Sequence, residues 1–270
     1  MKINRRDFLK TTALTSLYFA GFGTPTFAAD GPKKNLVVIM LRGGMDGLCA
    51  IPVKGDKNFE KLRSKINLDK TLQLTSDFDL HPSLKTFKRL WDQNLGAAVH
   101  ATNIPYTGRS HFDGQNLMES GGKIPYQVKT GWLGRGMKIA GLTGEGLALA
   151  LPMPLLIRGV SMNNNYFPVG DKLPSKTTLG LIQQAYKDFD EKLLSETLKI
   201  VMTRDLKNSG SDENWSLASN AGEQLSKPNG PRVAVFEVDG FDTHAAQGAT
   251  NGAHADCLSD YDRIISGLKQ

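Results

Sequence analysis

The sequence predicts an α/β fold with a largely parallel sheet, and three observations predict it. Short, continuous apolar runs rich in β-branched residues recur along the chain, the pattern of strands buried on both faces. Stretches of helical period lie between them. Polar clusters follow three of the apolar runs, and open α/β sheets gather ligands at the carboxyl ends of their strands.

The first run is Asn35–Leu41 (Asn-Leu-Val-Val-Ile-Met-Leu), followed at once by a glycine-rich turn, Arg42-Gly-Gly-Met-Asp-Gly-Leu48. Residues 59–68 are charged and peripheral in character. Ser83–Asn94 places Leu84, Phe87, Leu90 and Trp91 on one helical stripe, with Pro82 near the start, where a missing N–H costs little. Gly96–Ala101 reads as a second buried strand, and a helix is expected to begin near Ser110. Residues 146–152 and 155–160 are read as further short strands, and 177–187 and 191–203 as helices. Residues 208–231 are rich in Ser, Asn, Gly and Pro and predict a loop or a partly helical surface insertion. Arg232–Val238 is another strand, and 256–268 an amphipathic helix carrying Leu258, Tyr261, Ile264, Ile265 and Leu268.

The chain has 270 residues, 40% hydrophobic and 22% charged, which excludes collagen-like, low-complexity and largely disordered classes. Two cysteines exclude a disulfide scaffold, although Cys49 and Cys257 could pair in an oxidising compartment. Residues 1–28 have the features of a removable leader. Arg5-Arg6 followed by Phe-Leu-Lys resembles the twin-arginine export signal, Thr12–Phe22 is moderately apolar but too short to span a bilayer, and Thr26-Phe-Ala28 offers a cleavage site. Its Lys2, Arg5, Arg6, Lys10 and Asp7 contribute +3 to the formal charge of +6, so +3 remains on the mature chain. That is too little for a nucleic-acid binder, and no later segment reaches 18 uninterrupted apolar residues, so no mature transmembrane span is expected. The expected location is the periplasm, or another exported location, with the twin-arginine translocase as a partner.

Three clusters carry chemistry. Asp239, Asp242 and His244 crowd behind a strand, and oxygen and imidazole donors together suit zinc, manganese or iron better than calcium. Asp242 and His244, two apart, share a side of an extended segment, while Asp239 could bind a second ion or orient the first; turn formation and helix capping explain the same residues. Ser110 lies between Arg109 and His111 at the predicted helix start. There, backbone amides favour an anion, Arg109 could pair with phosphate or sulfate oxygens, and a nearby metal would make the hydroxyl a nucleophile. A serine N-cap beside a surface arginine explains that cluster equally. Asp46 is a metal ligand or a turn residue. The glycines around it do not match a dinucleotide-binding spacing. His81 reads as helping to start a helix, His100 as a core histidine, and His254 with Cys257 as surface packing on one helical face.

The leader, Leu41-Arg-Gly-Gly-Met-Asp-Gly-Leu48, His81-Pro-Ser-Leu84, Arg109-Ser-His-Phe-Asp-Gly-Gln115 with Glu119-Ser-Gly121, and Val238-Asp-Gly-Phe-Asp-Thr-His-Ala-Ala-Gln247 occur in this order. Together they resemble a family of exported bacterial proteins of unknown function that is similar to a branch of the alkaline phosphatase and sulfatase superfamily. The resemblance implies a three-layer α/β sandwich and a hydrolase of phosphoric or sulfuric esters that uses divalent metals, zinc among them. It maps metal ligands onto Asp46, onto Asp242 or Asp239, and onto His244, and the nucleophile onto Ser110. The superfamily's further Asp-His pair and later His, and the family's Glu-Phe-Gly-Arg and Asp-His-Gly-His-Gly stretches, are not in this sequence. The resemblance therefore implies a fold incomplete at its C-terminus and a partial ligand set. A non-catalytic periplasmic binding or assembly protein on the same fold is the other expectation.

Overall fold

The computed structural model describes residues 34–66, 68–150, 152–160, 163–165, 176–185 and 213–269. The leader at 1–28, the helix expected over 191–203, and residues 208–212 of the polar stretch lie outside them.

The strands are β1 (Leu36–Leu41), β2 (Leu72–Gln73), β3 (Asp79–Leu80), β4 (Gly146–Leu149), β5 (Asn164–Asn165) and β6 (Val233–Val238). The helices are α1 (Gly47–Ala50), α2 (Lys57–Leu62), α3 (Lys85–Asp92), α4 (His111–Ser120), α5 (Trp132–Ile139), α6 (Lys176–Ala185), α7 (Glu213–Ser226) and α8 (Ala253–Leu268). Among the described residues the main sheet runs β1-β6-β4-β5 with every pair parallel, and β2 and β3 form a small antiparallel ribbon. In register, Leu36 lies beside Val233 and Leu41 beside Val238, so the first apolar run of the sequence pairs with one of the last.

Side chains alternate across a strand, and here they divide into two cores. On one face Val37, Ile39 and Leu41 join Leu147, Leu149, Ala234, Phe236 and Val238, packed against Leu217 and Ala218 of α7 and Leu258 and Ile264 of α8. On the other, Val38, Met40, Ala148, Val233 and Val235 meet Leu133 and Met137 of α5 with Leu156 and Ile157. Helices against both faces of a mostly parallel sheet make an α/β fold compatible with three layers.

Several local expectations are corrected. Gly96–Ala101 forms no strand; it runs as largely exposed coil, and among its glycine and alanine residues only Val99 favours a strand. The expected strand at 155–160 is a 3₁₀ turn at Leu155–Ile157, because the Glu119 carboxylate accepts the Leu156 N–H and the Arg158 amide returns to the Leu155 carbonyl. Within the polar 208–231 stretch, α7 is a core helix rather than an insertion: Leu217, Ala218, Ala221 and Leu225 are buried. Its small residues carry little apolar signal, yet they permit close approach to α8. A Cβ on Gly267 would stand 2.6 Å from the Trp215 carbonyl oxygen and 2.8 Å from the Ala218 Cβ. His254 and Cys257 are buried rather than on the surface, and both cysteines are free thiols. Among the described residues, no helix is long and apolar enough to cross a membrane.

Candidate functional site

The carboxyl ends of β1 and β6 continue their pairing beyond the strands. The Arg42 amide donates to the Val238 carbonyl at 2.8 Å, and the Phe241 amide donates to the Arg42 carbonyl at 3.2 Å. Gly43, with φ +103°, lets the two loops touch: a Cβ there would lie 2.4 Å from the Asp242 backbone nitrogen. The turn after the first strand and the Asp239–His244 segment are thereby held together by backbone. His111 opens α4 beside them, with Nε2 3.3 Å from one Asp242 carboxylate oxygen; His244 Nε2 stands 3.0 Å from the other. His244 adopts φ +44°, a conformation that costs a non-glycine residue free energy and is concentrated at functional positions.

Two clefts open on this junction. One, of about 470 Å³, is lined by Arg42, His111, Glu237, Asp239 and Asp242. The other, of about 990 Å³, is lined by Asp46, Arg109, Ser110 and His111 together with Ile39, Met40 and Leu41 of β1. His111 and Gln115 line both.

Ser110 is the N-cap of α4, and its Oγ accepts the Asp113 N–H at 3.2 Å. An oxygen so placed faces the positive end of the helix, where developing negative charge is favoured. Because Oγ acts only as an acceptor there, its own proton stays available for transfer. Arg109 is exposed at the lip of the larger cleft. Asp46 is more heavily engaged. One oxygen caps α1 through the Leu48 and Cys49 amides at 3.2 Å each, and the other accepts from Gln247 at 2.8 Å and pairs with Arg63.

From sequence alone, Arg42, Glu119, Glu237, His111 and Gln247 carry no assigned role. Arg42 donates to Glu119 at 2.8 Å, to Glu237, and to Gln115 at 3.3 Å. Burial pulls the guanidinium pKa down, but the two carboxylates outweigh it and hold it above its ordinary value. Burial likewise pushes the Glu237 carboxyl up, with Arg42 opposing. The available signals were a charged residue inside an otherwise apolar strand (Glu237) and an arginine immediately behind one (Arg42).

Asp242 lies between two imidazoles, and carboxylate and imidazole are donor types that zinc, manganese and iron favour. Asp46 lies apart from them, its oxygens serving a helix cap, Arg63 and Gln247. Among the described residues, no group of three or more His, Cys, Asp or Glu side chains is gathered to hold a metal ion as it stands. Comparisons with protein-family models, with curated proteins and with solved structures yielded no match to this chain.

Proposed function

We propose that this chain is an exported, metal-dependent hydrolase of phosphate or sulfate esters on an alkaline-phosphatase-like fold, with its site at the junction of the β1 and β6 loops and the start of α4. The observation that carries the reading is the contact of His111 with Asp242, which joins the Ser110 end of α4 to the Asp239–His244 loop. Asp242, His111 and His244 would hold the cation, which when bound supplies charge neutralisation to the ester oxygens and to the attacking hydroxyl. The Ser110 Oγ would attack phosphorus or sulfur in line, its proton leaving to a base as the ester oxygen departs. Water would then hydrolyse the seryl ester. The α4 amides and Arg109 would favour the anionic group, and Asp239, exposed in the smaller cleft, would orient the cation or its water.

Turnover of p-nitrophenyl phosphate and p-nitrophenyl sulfate by the full chain, before and after Ser110→Ala, tests this. Loss of turnover with unchanged metal content supports the reading; unchanged turnover removes Ser110 from the chemistry. One observation favours a second reading, a non-catalytic binding or assembly protein on the same fold: the Asp46 carboxylate is already satisfied by protein groups. A wild-type chain that binds no metal and turns over neither ester would support that alternative.

A further inference from the structure

The two clefts at the junction differ in what they offer a ligand. The smaller presents a cluster of charged side chains, Arg42, Glu237, Asp239 and Asp242 among them. Histidines aside, the larger presents only Asp46 and Arg109, and the Asp46 oxygens are already taken by the α1 cap, Arg63 and Gln247. Much of its remaining lining is apolar, with Met45, Val99, Ile104 and Met118 joining the β1 residues. Helix α4 contributes His111, Gly114, Gln115 and Met118, spaced i, i+3, i+4 and i+7 on one helical face. A Cβ on Gly114 would lie 3.7 Å from the Tyr106 ring and 3.9 Å from the Ile104 Cδ1, so an apolar wall begins one turn beyond Ser110. Val99 is 80% exposed and Met118 48% exposed. Apolar side chains left open to solvent together in a concave surface mark a ligand groove.

We propose that the larger cleft receives the alcohol portion of the ester, and that the substrates are anionic esters of apolar alkyl or aryl alcohols rather than of sugars or other polyols. This rests on Ser110 as the attacking group. In-line displacement places phosphorus or sulfur in front of Oγ and the departing oxygen beyond it, on the side away from the nucleophile. Ser110 and Arg109 line the larger cleft and not the smaller, so the departing alcohol lies in the larger. The Oγ bond to phosphorus or sulfur forms as the ester bond breaks. The electron pair leaves with the alcohol oxygen, and a proton from water completes the free alcohol. At about 990 Å³ the cleft is at the upper end of pockets that hold drug-sized ligands, far more than the anionic group alone fills. Hydroxyls of a polyol would lose their hydration against Met45, Ile104 and Met118 without replacement. Met40, Met45 and Met118 are unbranched and adaptable, so the cleft accepts apolar groups of differing shape.

Alkylphosphonates, whose carbon–phosphorus bond resists hydrolysis, test the cleft without turnover. Calorimetric titration of the full chain should show n-hexylphosphonate binding at least about tenfold more tightly than ethylphosphonate, since each buried methylene contributes roughly two- to fourfold. The paired change Val99→Gln and Met118→Gln alters two side chains that are exposed in the folded chain. With its urea midpoint unchanged, this variant should lose most of the preference for the longer chain. Equal affinities for the two phosphonates in the wild type, or no binding of n-hexylphosphonate, would overturn the proposal, as would a preference that survives intact in the folded variant. The hydrolase reading fails separately. Absence of p-nitrophenyl ester turnover with the chain-length preference intact leaves an apolar-anion site and removes the chemistry, whereas turnover without the preference keeps the hydrolase and removes the apolar subsite.

Discussion

Arg42, one position past β1, answers two acids at once: Glu119, buried with only 5% of its side chain exposed, and the partly buried Glu237 of β6. Glu119 in turn uses its second oxygen to hold the Leu156 amide. Removing the cation would leave the buried Glu119 and the partly buried Glu237 without it, so Arg42→Met should cost about 3–5 kcal/mol, read as a lowered urea midpoint. A change under 1 kcal/mol would mean that the knot is not structural. The buried histidines make a second prediction at this scale. His81 Nε2 donates to the Ala249 carbonyl while Nδ1 accepts the Ser83 amide, which fixes the neutral ring. His254, 1% exposed, has no hydrogen-bond partner on either ring nitrogen among the described residues. Burial lowers both pKa values below the ordinary histidine value, against the opposing pull of the Ala249 carbonyl for His81 and of Asp46 for His254. The unfolded chain therefore binds more protons once the pH drops below about 6.5. Stability is fully present above that pH and is lost as pH falls toward the lowered folded-state values. Urea titrations at pH 7.5 and 5.5 should show a lower midpoint at pH 5.5, and His254→Phe should reduce the difference.

At the scale of elements, glycine marks where backbone must meet backbone. Gly267 on α8 faces the Trp215 carbonyl of α7, and Gly43 faces the Asp242 amide. Gly267→Ala should loosen the α7–α8 contact by about 1–3 kcal/mol, measurable as a drop in Tm, through overpacking. Gly43→Ala adds strain at φ +103° to a steric clash, and it should separate the two site loops as well as destabilise the chain. The same scale shows what the sequence could reveal. The long apolar runs at 35–41 and 232–238, the α4 start at Ser110 and the α8 stripe are legible because periodicity and capping act locally. α7 was not, because alanine and glycine signal close packing only when the partner helix is known. The Leu155–Ile157 turn was missed because a distant carboxylate, Glu119, decides its conformation.

For the whole molecule, the fold follows from pairing β1 with β6, some 200 residues apart in sequence, with a core on each face of the sheet. That pairing brings the first glycine-rich turn to the Asp239–His244 loop, and α4 adds His111 from the side. The individual residues Asp46, Ser110, Asp242 and His244 could be picked from the sequence as candidates. Their environments could not: that Asp46 answers to Arg63 and Gln247, or that His111 shares Asp242 with His244, depends on long-range packing. If these loops make one cation site at Asp242, zinc titrated calorimetrically into the metal-free full chain binds at one ion per chain. Binding then weakens at least about tenfold after His111→Ala and is lost after Asp242→Asn. Undiminished zinc binding by Asp242→Asn, or none by the wild type, would rule the site out.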